Sequence, residues 1–190
     1  YISEEKHKQL TTILEGFGDQ YKKNLHRLFR TKLGLRTEQD GDIALIGSLL
    51  MMMQETRADF TQTFRDLSEL SLADLKSKNI TEQSAWGLSK LFRRQDFSEF
   101  ISDYEKRLTL ENSSDEGRLQ MMQSANPRYI LRNWIAQRAI EKAENDDFSE
   151  VQLLMEVLRK PYTVNGEAEA NGYAAPVPGW SKAIKVSCSS

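Results

Sequence analysis

Residues 4–33 read EEKHKQLTTILEGFGDQYKKNLHRLFRTKL, a stretch without proline in which large apolar side chains recur every three or four positions. This spacing matches the 3.6-residue period of an α-helix and places the apolar side chains on one stripe. Gly34 follows at a position where a left-handed helix end favours glycine. The pattern predicts a first helix from about Glu4 to Leu33, with a stripe formed by Leu10, Ile13, Leu14, Phe17, Tyr21, Leu25, Leu28, Phe29 and Leu33.

Further apolar clusters follow along the chain. Residues 42–54 are apolar on most of the helix circumference, which predicts a buried central helix and favours burial of the consecutive methionines at 51–53. Asp59 is a suitable N-cap for a short helix that carries Phe60 and Phe64. The next stretches are predicted to be an irregular segment at 71–84, an apolar cluster at 86–92, a helix over 97–108 and a polar loop at 111–114.

The clearest helix start is predicted at Asn126-Pro127, because asparagine caps helices and proline suits the first helical position. This helix is predicted to extend to about Glu144. Asp146-Asp147 then caps a last helix through about Leu158. The prolines and glycines that follow predict an extended tail.

The fold class predicted from these patterns is all-α. No stretch of alternating apolar and polar residues competes for a β-sheet, and residues before 127 contain no proline. We therefore expect an irregular helical bundle of about seven helices over residues 1–160, with an extended C-terminal tail over residues 161–190.

Composition excludes several classes of protein. The 190 residues include 39% hydrophobic and 28% charged residues, and 26 basic against 28 acidic side chains give a net charge of −2. Phosphate binding needs a concentrated positive field, so no nucleic acid partner is expected. No apolar run is long enough for a transmembrane helix, so no membrane partner is expected either. A single cysteine excludes a disulfide scaffold within the chain.

The candidate chemical motifs are weak. Gly16-Phe17-Gly18 resembles half of a dinucleotide loop, but Tyr21 stands where the third glycine is needed and no strand precedes it. His7 and His26 have no cysteine companions and predict no metal site. We therefore predict no catalytic, cofactor-binding or metal-binding residue within the chain.

Cys188 is the one candidate reactive residue, because a thiol in a polar tail is not explained by core packing. Lys185 would lower the pKa of this thiol, whereas the terminal carboxylate of Ser190 would raise it. An accessible reactive thiol and an incidental tail cysteine both remain open on these grounds.

Three segments together resemble a known family. They are RADFTQTFRDLS at 57–68, SANP at 124–127 continuing through LRNWIAQRAIE at 131–141, and the terminal VSCSS at 186–190 with Pro178 and Trp180 before it. In order and spacing the chain is similar to the C-terminal part of selenoprotein O and its cysteine-containing bacterial relatives.

This resemblance implies that the full-length protein is a pseudokinase. Such proteins transfer AMP from ATP to Ser, Thr or Tyr hydroxyls of protein substrates, with bound Mg or Mn, in a kinase-like region preceding the part present here. Cys188 matches the selenocysteine position, and the resemblance implies a regulatory disulfide between it and a cysteine of that region. It also implies a mitochondrial location for a eukaryotic protein and a cytoplasmic one for a bacterial protein.

Three functional classes follow. The leading one is a C-terminal helical region that supports the kinase-like region and carries the redox cysteine. In this class, any apolar stripe that is not buried within the chain is expected to be the face that docks on the kinase-like region. The alternative is a free-standing helical interaction module. A thiol oxidoreductase using Cys188 alone is weakest, because no resolving cysteine is present. The chain opens at Tyr1 without methionine, which gives the expectation of a longer parent protein. The first two classes are distinguished by whether the reading frame upstream of Tyr1 encodes a glycine-rich loop and metal ligands.

Overall fold

The computed structural model describes residues 3–77, 81 and 84–184. Helix makes up 66% of this part of the chain, which contains no strand, so the all-α prediction is confirmed. Seven of the helices have seven residues or more, in agreement with the expected number. The elements are α1 Glu4–Lys32, α2 Asp42–Thr56, α3 Phe60–Leu67, α4 Leu72–Ser77, α5 Gln95–Leu110, α6 Asp115–Ala125, α7 Asn133–Ala143, α8 Ser149–Arg159, α9 Gly166–Ala170 and a 3₁₀ helix Gly179–Ala183.

Local signals explain the ends of the first and third helices. The Ser3 hydroxyl accepts a hydrogen bond from the Lys6 amide at 3.4 Å and caps α1. Gly34 ends α1 with a φ of +69°, the left-handed conformation for which glycine was predicted. The Asp59 carboxylate accepts from the Gln62 amide at 2.9 Å and caps α3. The predicted positions of α1 and α3 are therefore confirmed.

Two separate clusters of buried apolar residues form the cores. The first core is built by the end of α1, by α2 to α6 and by the 85–92 segment, and its fully buried residues include Leu49, Leu67 and Phe97. The second core is built by α7, α8, α9 and the residues around them, including Trp134 and Tyr173. The fold is thus a bundle with two centres of packing.

The second helix is buried on one face only. Met52 and Met53 lie in the first core, whereas Met51 and Ile43 are exposed. The prediction of burial around most of α2 is therefore wrong for its outer face. A helix that is apolar around its circumference is predicted to be buried on every face. Within this chain, however, α2 packs mainly on α1 and α5, so its outer face stays exposed.

The prediction of a helix start at Asn126-Pro127 is wrong. Asn126 ends α6 in an extended conformation, with φ −113° and ψ 108°, as a residue before proline prefers. The amides of Arg128 and Tyr129 then donate to the Pro161 carbonyl at 2.8 and 3.1 Å. With these amides paired to a distant carbonyl, the chain stays non-helical until α7 begins at Asn133.

Two other segments contain more helix than predicted. The described part of 71–84, predicted to be irregular, includes α4. The segment after Pro161, predicted to be extended, contains α9 and the 3₁₀ helix, and Ala168 and Tyr173 are buried in the second core. Apolar residues on both sides of Pro161 therefore share one core.

Candidate functional site

The two internal segments singled out in the sequence lie against each other. The Arg65 guanidinium, on α3, donates to the Asn126 carbonyl at 3.1 Å. Arg132, just before α7, makes two hydrogen bonds to the Asp59 carboxylate at 2.7 and 3.1 Å and stacks over Trp86 at 5.7 Å. Burial raises the pKa of Asp59, but the bonds from Arg132 and the Gln62 amide outweigh it and leave that pKa lowered. These contacts join the first core to the second.

Asn126 is the centre of this joint. It is fully buried, and its side-chain amide donates to the Lys32 carbonyl at 2.9 Å while its oxygen accepts from the Lys32 ammonium at 3.2 Å. The same ammonium lies 5.5 Å from the Phe64 ring centre. Partial burial lowers the pKa of Lys32. One asparagine therefore fixes the end of α1 against α3 and α6.

Arg128 forms a clamp between two carboxylates. Its guanidinium bonds Glu169 at 2.7 and 3.0 Å and Glu69 at 2.5 Å, and Tyr129 donates its hydroxyl proton to Glu169 as well. The hydrogen bond with Glu169 raises the pKa of Arg128, and the same bond lowers the pKa of Glu169. Glu69 also pairs with Arg65 at 2.7 Å, so the clamp and the joint form one network.

A buried carboxyl lies under the 85–92 segment. Asp66 is 2% exposed and accepts hydrogen bonds from the Gln62 amide group at 2.6 Å and the Gly87 backbone amide at 2.7 Å. Burial raises its pKa to about 7. A carboxyl with such a pKa suits proton transfer, but Asp66 is sealed from solvent. Through its hydrogen bond with the Gly87 amide, Asp66 holds the 85–92 segment against α3.

A cavity of about 500 Å³ lies between α2 and α5. Its charged lining residues already have partners. Arg107 bonds Asp42 at 2.5 Å and Glu111 at 3.1 Å, and Lys106 pairs with Asp103 at 2.8 Å. These cations are engaged within the protein, so they do not form a ready site for phosphate groups.

The outer part of α1 is the strongest candidate for an interaction surface. Residues 4–24 are all exposed, and no residue of the helix is fully buried. Six large apolar side chains of its stripe are between 47% and 74% exposed. Burial of their exposed parts is worth roughly 5–10 kcal/mol, which this chain alone leaves unrealised. We call these six exposed apolar residues the α1 stripe: Leu10, Ile13, Leu14, Phe17, Tyr21 and Leu28.

The residues predicted as candidates have different outcomes. Cys188 lies outside the described residues, so its redox role stays a prediction. Gly16 and Gly18 lie inside α1, and a Cβ added at either position would meet no atom within 4 Å, as expected for glycines of a helix rather than of a phosphate loop. His7 and His26 lie on α1, and no group of three His, Cys, Asp or Glu side chains within the described ranges could hold a metal ion.

The sequence interpretation missed the residues that organise the joint. Arg128, Glu69 and Glu169 are far apart in the sequence, and nothing in their local pattern indicates that they meet. Asp66 follows Gln62 by four positions, which signals a helix-surface pair, but its burial depends on a distant loop.

Comparison with known proteins decides the family. The family model described as protein adenylyltransferase SelO matches residues 4–159. The chain belongs to this family. It is 44% identical over 171 residues to the protein nucleotidyltransferase YdiU of Herminiimonas arsenicoxydans, a match covering 90% of this chain and 32% of that relative. It is 40% identical over 178 residues to the protein of the same name from Paraburkholderia xenovorans, covering 94% of this chain and 33% of the relative.

These matches define what the family assignment covers. The chain spans about a third of the length of the relatives it matches. The family match begins at residue 4, where α1 begins, and therefore includes the whole α1 stripe. Among the helices that the structure describes, none combines the length and hydropathy needed to cross a membrane.

Proposed function

We propose that this chain is the C-terminal helical region of a protein adenylyltransferase that transfers AMP from ATP to Ser, Thr or Tyr hydroxyls of proteins. The observation that carries the proposal is the family match over residues 4–159 together with coverage of only a third of relatives named nucleotidyltransferases. In this proposal the remaining two thirds contain the kinase-like region and the catalytic residues, and bind the protein substrates.

The described residues of this chain offer no group of side chains that fits ATP or its metal ions. Within residues 3–77, 81 and 84–184, no cluster of three potential metal ligands occurs. Gly16 and Gly18 are helical, and the cations beside the α2–α5 cavity are paired with carboxylates. We therefore assign no step of AMP transfer to these residues and propose that ATP and Mg or Mn bind in the kinase-like region.

The role proposed for this chain is support. The two cores and their polar joint form a body with several long-range contacts, and the α1 stripe offers a large uncovered apolar surface. A helical body with one such surface is suited to hold a neighbouring region in place.

The proposal includes a redox role for Cys188. Its thiol and a cysteine thiol of the kinase-like region would form one S–S bond, with a small-molecule disulfide accepting the two electrons and two protons. Because Ile184 packs against the second core, the reach of the tail beyond it is set by the residues that follow Ile184. Four peptide units separate Ile184 from Cys188, and a chain of that length spans at most about 14 Å when extended.

Labelled AMP tests the proposed activity. The purified 190-residue chain, incubated with labelled ATP and Mg or Mn, is expected to modify no protein above a blank without enzyme, because phosphoryl chemistry needs positioned cations at the phosphates. The full-length protein is expected to incorporate label. Labelling by the chain alone refutes its inactivity, and an unlabelled reaction with the full-length protein refutes the proposed function.

The redox role has its own test in the full-length protein. Free thiols and AMP transfer are measured with and without reductant for the native protein and for Cys188→Ser. Reductant is expected to change both quantities in the native protein and neither in the serine variant. If the native protein does not respond, or both proteins respond equally, Cys188 is not a switch.

A further inference from the structure

Over residues 9–21 the charges of α1 avoid the face that carries the stripe, and only Lys6, one turn before Leu10, adds a charge to that face in the exposed outer part of the helix. Successive residues of an α-helix are turned by about 100°, which places Glu15, Asp19 and Lys23 on the side opposite Phe17. The margin of the stripe is formed by neutral polar residues such as Gln20. A face of this kind fits an uncharged apolar groove, because no ion has to be desolvated when it is covered.

Two glycines flank the centre of the stripe. Gly16 and Gly18 lie about 100° to either side of Phe17, and a Cβ atom at either position would meet nothing within 4 Å. Packing within this chain therefore does not require them, although glycine weakens a helix interior. Absence of a side chain on both flanks of Phe17 allows the walls of a groove to approach the helix backbone closely.

The charge of the outer helix disfavours a lipid surface as the cover. Residues 4–24 contain four acidic side chains, Glu4, Glu5, Glu15 and Asp19, and four lysines at positions 6, 8, 22 and 23. Helices that lie on membranes are rich in lysine and arginine on their polar face and are attracted by anionic lipids. The outer part of α1 has no excess of basic residues, so a protein groove suits it better than an anionic lipid surface.

The relatives supply the missing cover. Two thirds of their length lies outside the match, and the family match begins at residue 4, so the whole stripe belongs to the part shared with the family. We propose that the α1 stripe inserts into an uncharged apolar groove of the kinase-like region, with Phe17 at its centre and the groove walls against Gly16 and Gly18. This inference rests on the proposed function and names the contact by which that region is supported.

Hydrogen exchange tests the contact directly. Exchange of the amides at 8–21 is compared between the full-length protein and the 190-residue chain. In the full-length protein these amides are expected to exchange at least about 100-fold more slowly, because opening the helix requires undocking. Equal exchange in the two proteins overturns the proposal, whether or not the full-length protein transfers AMP.

Matched substitutions in the full-length protein provide the second measurement. Phe17→Asp is expected to lower the melting temperature by at least about 5 °C, because it places a carboxylate in the groove. Met155→Asp, at a similarly exposed apolar position on α8, is expected to change it by less than about 2 °C. Equal losses in both variants overturn the proposal.

Two further outcomes separate the possible explanations. If the amides are protected and Phe17→Asp acts selectively while the protein transfers no AMP, the docking contact stands and the proposed activity fails. If protection instead depends on protein concentration and the full-length protein forms a dimer that Phe17→Asp disrupts, a second copy covers the stripe and the proposal is wrong.

Discussion

Gly87 allows the 85–92 segment to lie directly against α3, and replacing it with alanine should destabilise the protein strongly. A Cβ at this position would lie 2.6 Å from the Gln62 carbonyl carbon and 2.7 Å from the Thr63 nitrogen. Both are backbone atoms of α3, which cannot move as a side-chain end can. The segment must therefore shift away from the helix.

The shift also breaks hydrogen bonds. The Gly87 amide donates to Asp66 at 2.7 Å, and its carbonyl accepts from the Thr63 hydroxyl at 3.1 Å. Overpacking costs about 1–3 kcal/mol, and leaving a buried polar group unpaired costs about 1–3 kcal/mol. We expect Gly87→Ala to lower the free energy of unfolding by about 2–6 kcal/mol, or the melting temperature by about 10 °C.

Gly47→Ala is a matched control with the opposite expected sign. Gly47 lies within α2, and a Cβ there would meet nothing within 4 Å. Alanine in a helix interior is favoured over glycine by about 1 kcal/mol, so this variant should be more stable than the native chain. Urea unfolding followed by circular dichroism measures both variants. A loss below about 1 kcal/mol for Gly87→Ala would refute the close approach described above.

Two further substitutions test the buried carboxyl and the clamp. The folded-state pKa of Asp66 is raised from 3.8 to about 7, so its contribution to stability is complete below the unfolded pKa and is lost as pH rises towards 7. In urea unfolding between about pH 5 and pH 7.5, the native chain should therefore lose stability relative to Asp66→Asn. Parallel pH profiles of the two proteins would contradict this. Arg128→Ala should lower the free energy of unfolding by about 2 kcal/mol, because Glu69 and Glu169 lose a charged partner. The control Lys76→Ala removes an exposed ion pair with Glu105 and should change the free energy of unfolding by less than about 0.5 kcal/mol. Equal losses in urea unfolding would show that the clamp contributes no more than a surface pair.

Helices were predictable where the apolar period was long and its ends carried local signals. Residues 4–33 indicated both the helix and its glycine end, since each depends on neighbours in sequence. The same period says that one face is apolar but not what covers it, so the exposure of the α1 stripe required the structure. A stripe packed on this chain and a stripe packed on another region have the same sequence pattern.

The errors arise where distant parts of the chain decide the conformation. Asn126-Pro127 has the residues of a helix start, yet the amides that follow pair with the Pro161 carbonyl and Lys32 binds the asparagine side chain. The raised pKa of Asp66 likewise comes from its burial beneath Gly87. Contacts across such separations have no local signature in a single sequence. The joint between the two cores depends on contacts of this kind, so the sequence alone did not predict it.

The polar joint between the two cores has a consequence for how the molecule unfolds. Its ion pairs, such as Arg132 with Asp59 and Arg128 with Glu69, are direct contacts between side chains that are only 14–31% exposed, so dissolved ions, which screen separated charges over about 8 Å, weaken them little. The fully buried Asn126 at the centre of the joint is likewise out of reach of salt. The two cores are therefore expected to unfold as one cooperative unit across the physiological range of ionic strength. In a longer protein, the last helices would then follow the motion of the first.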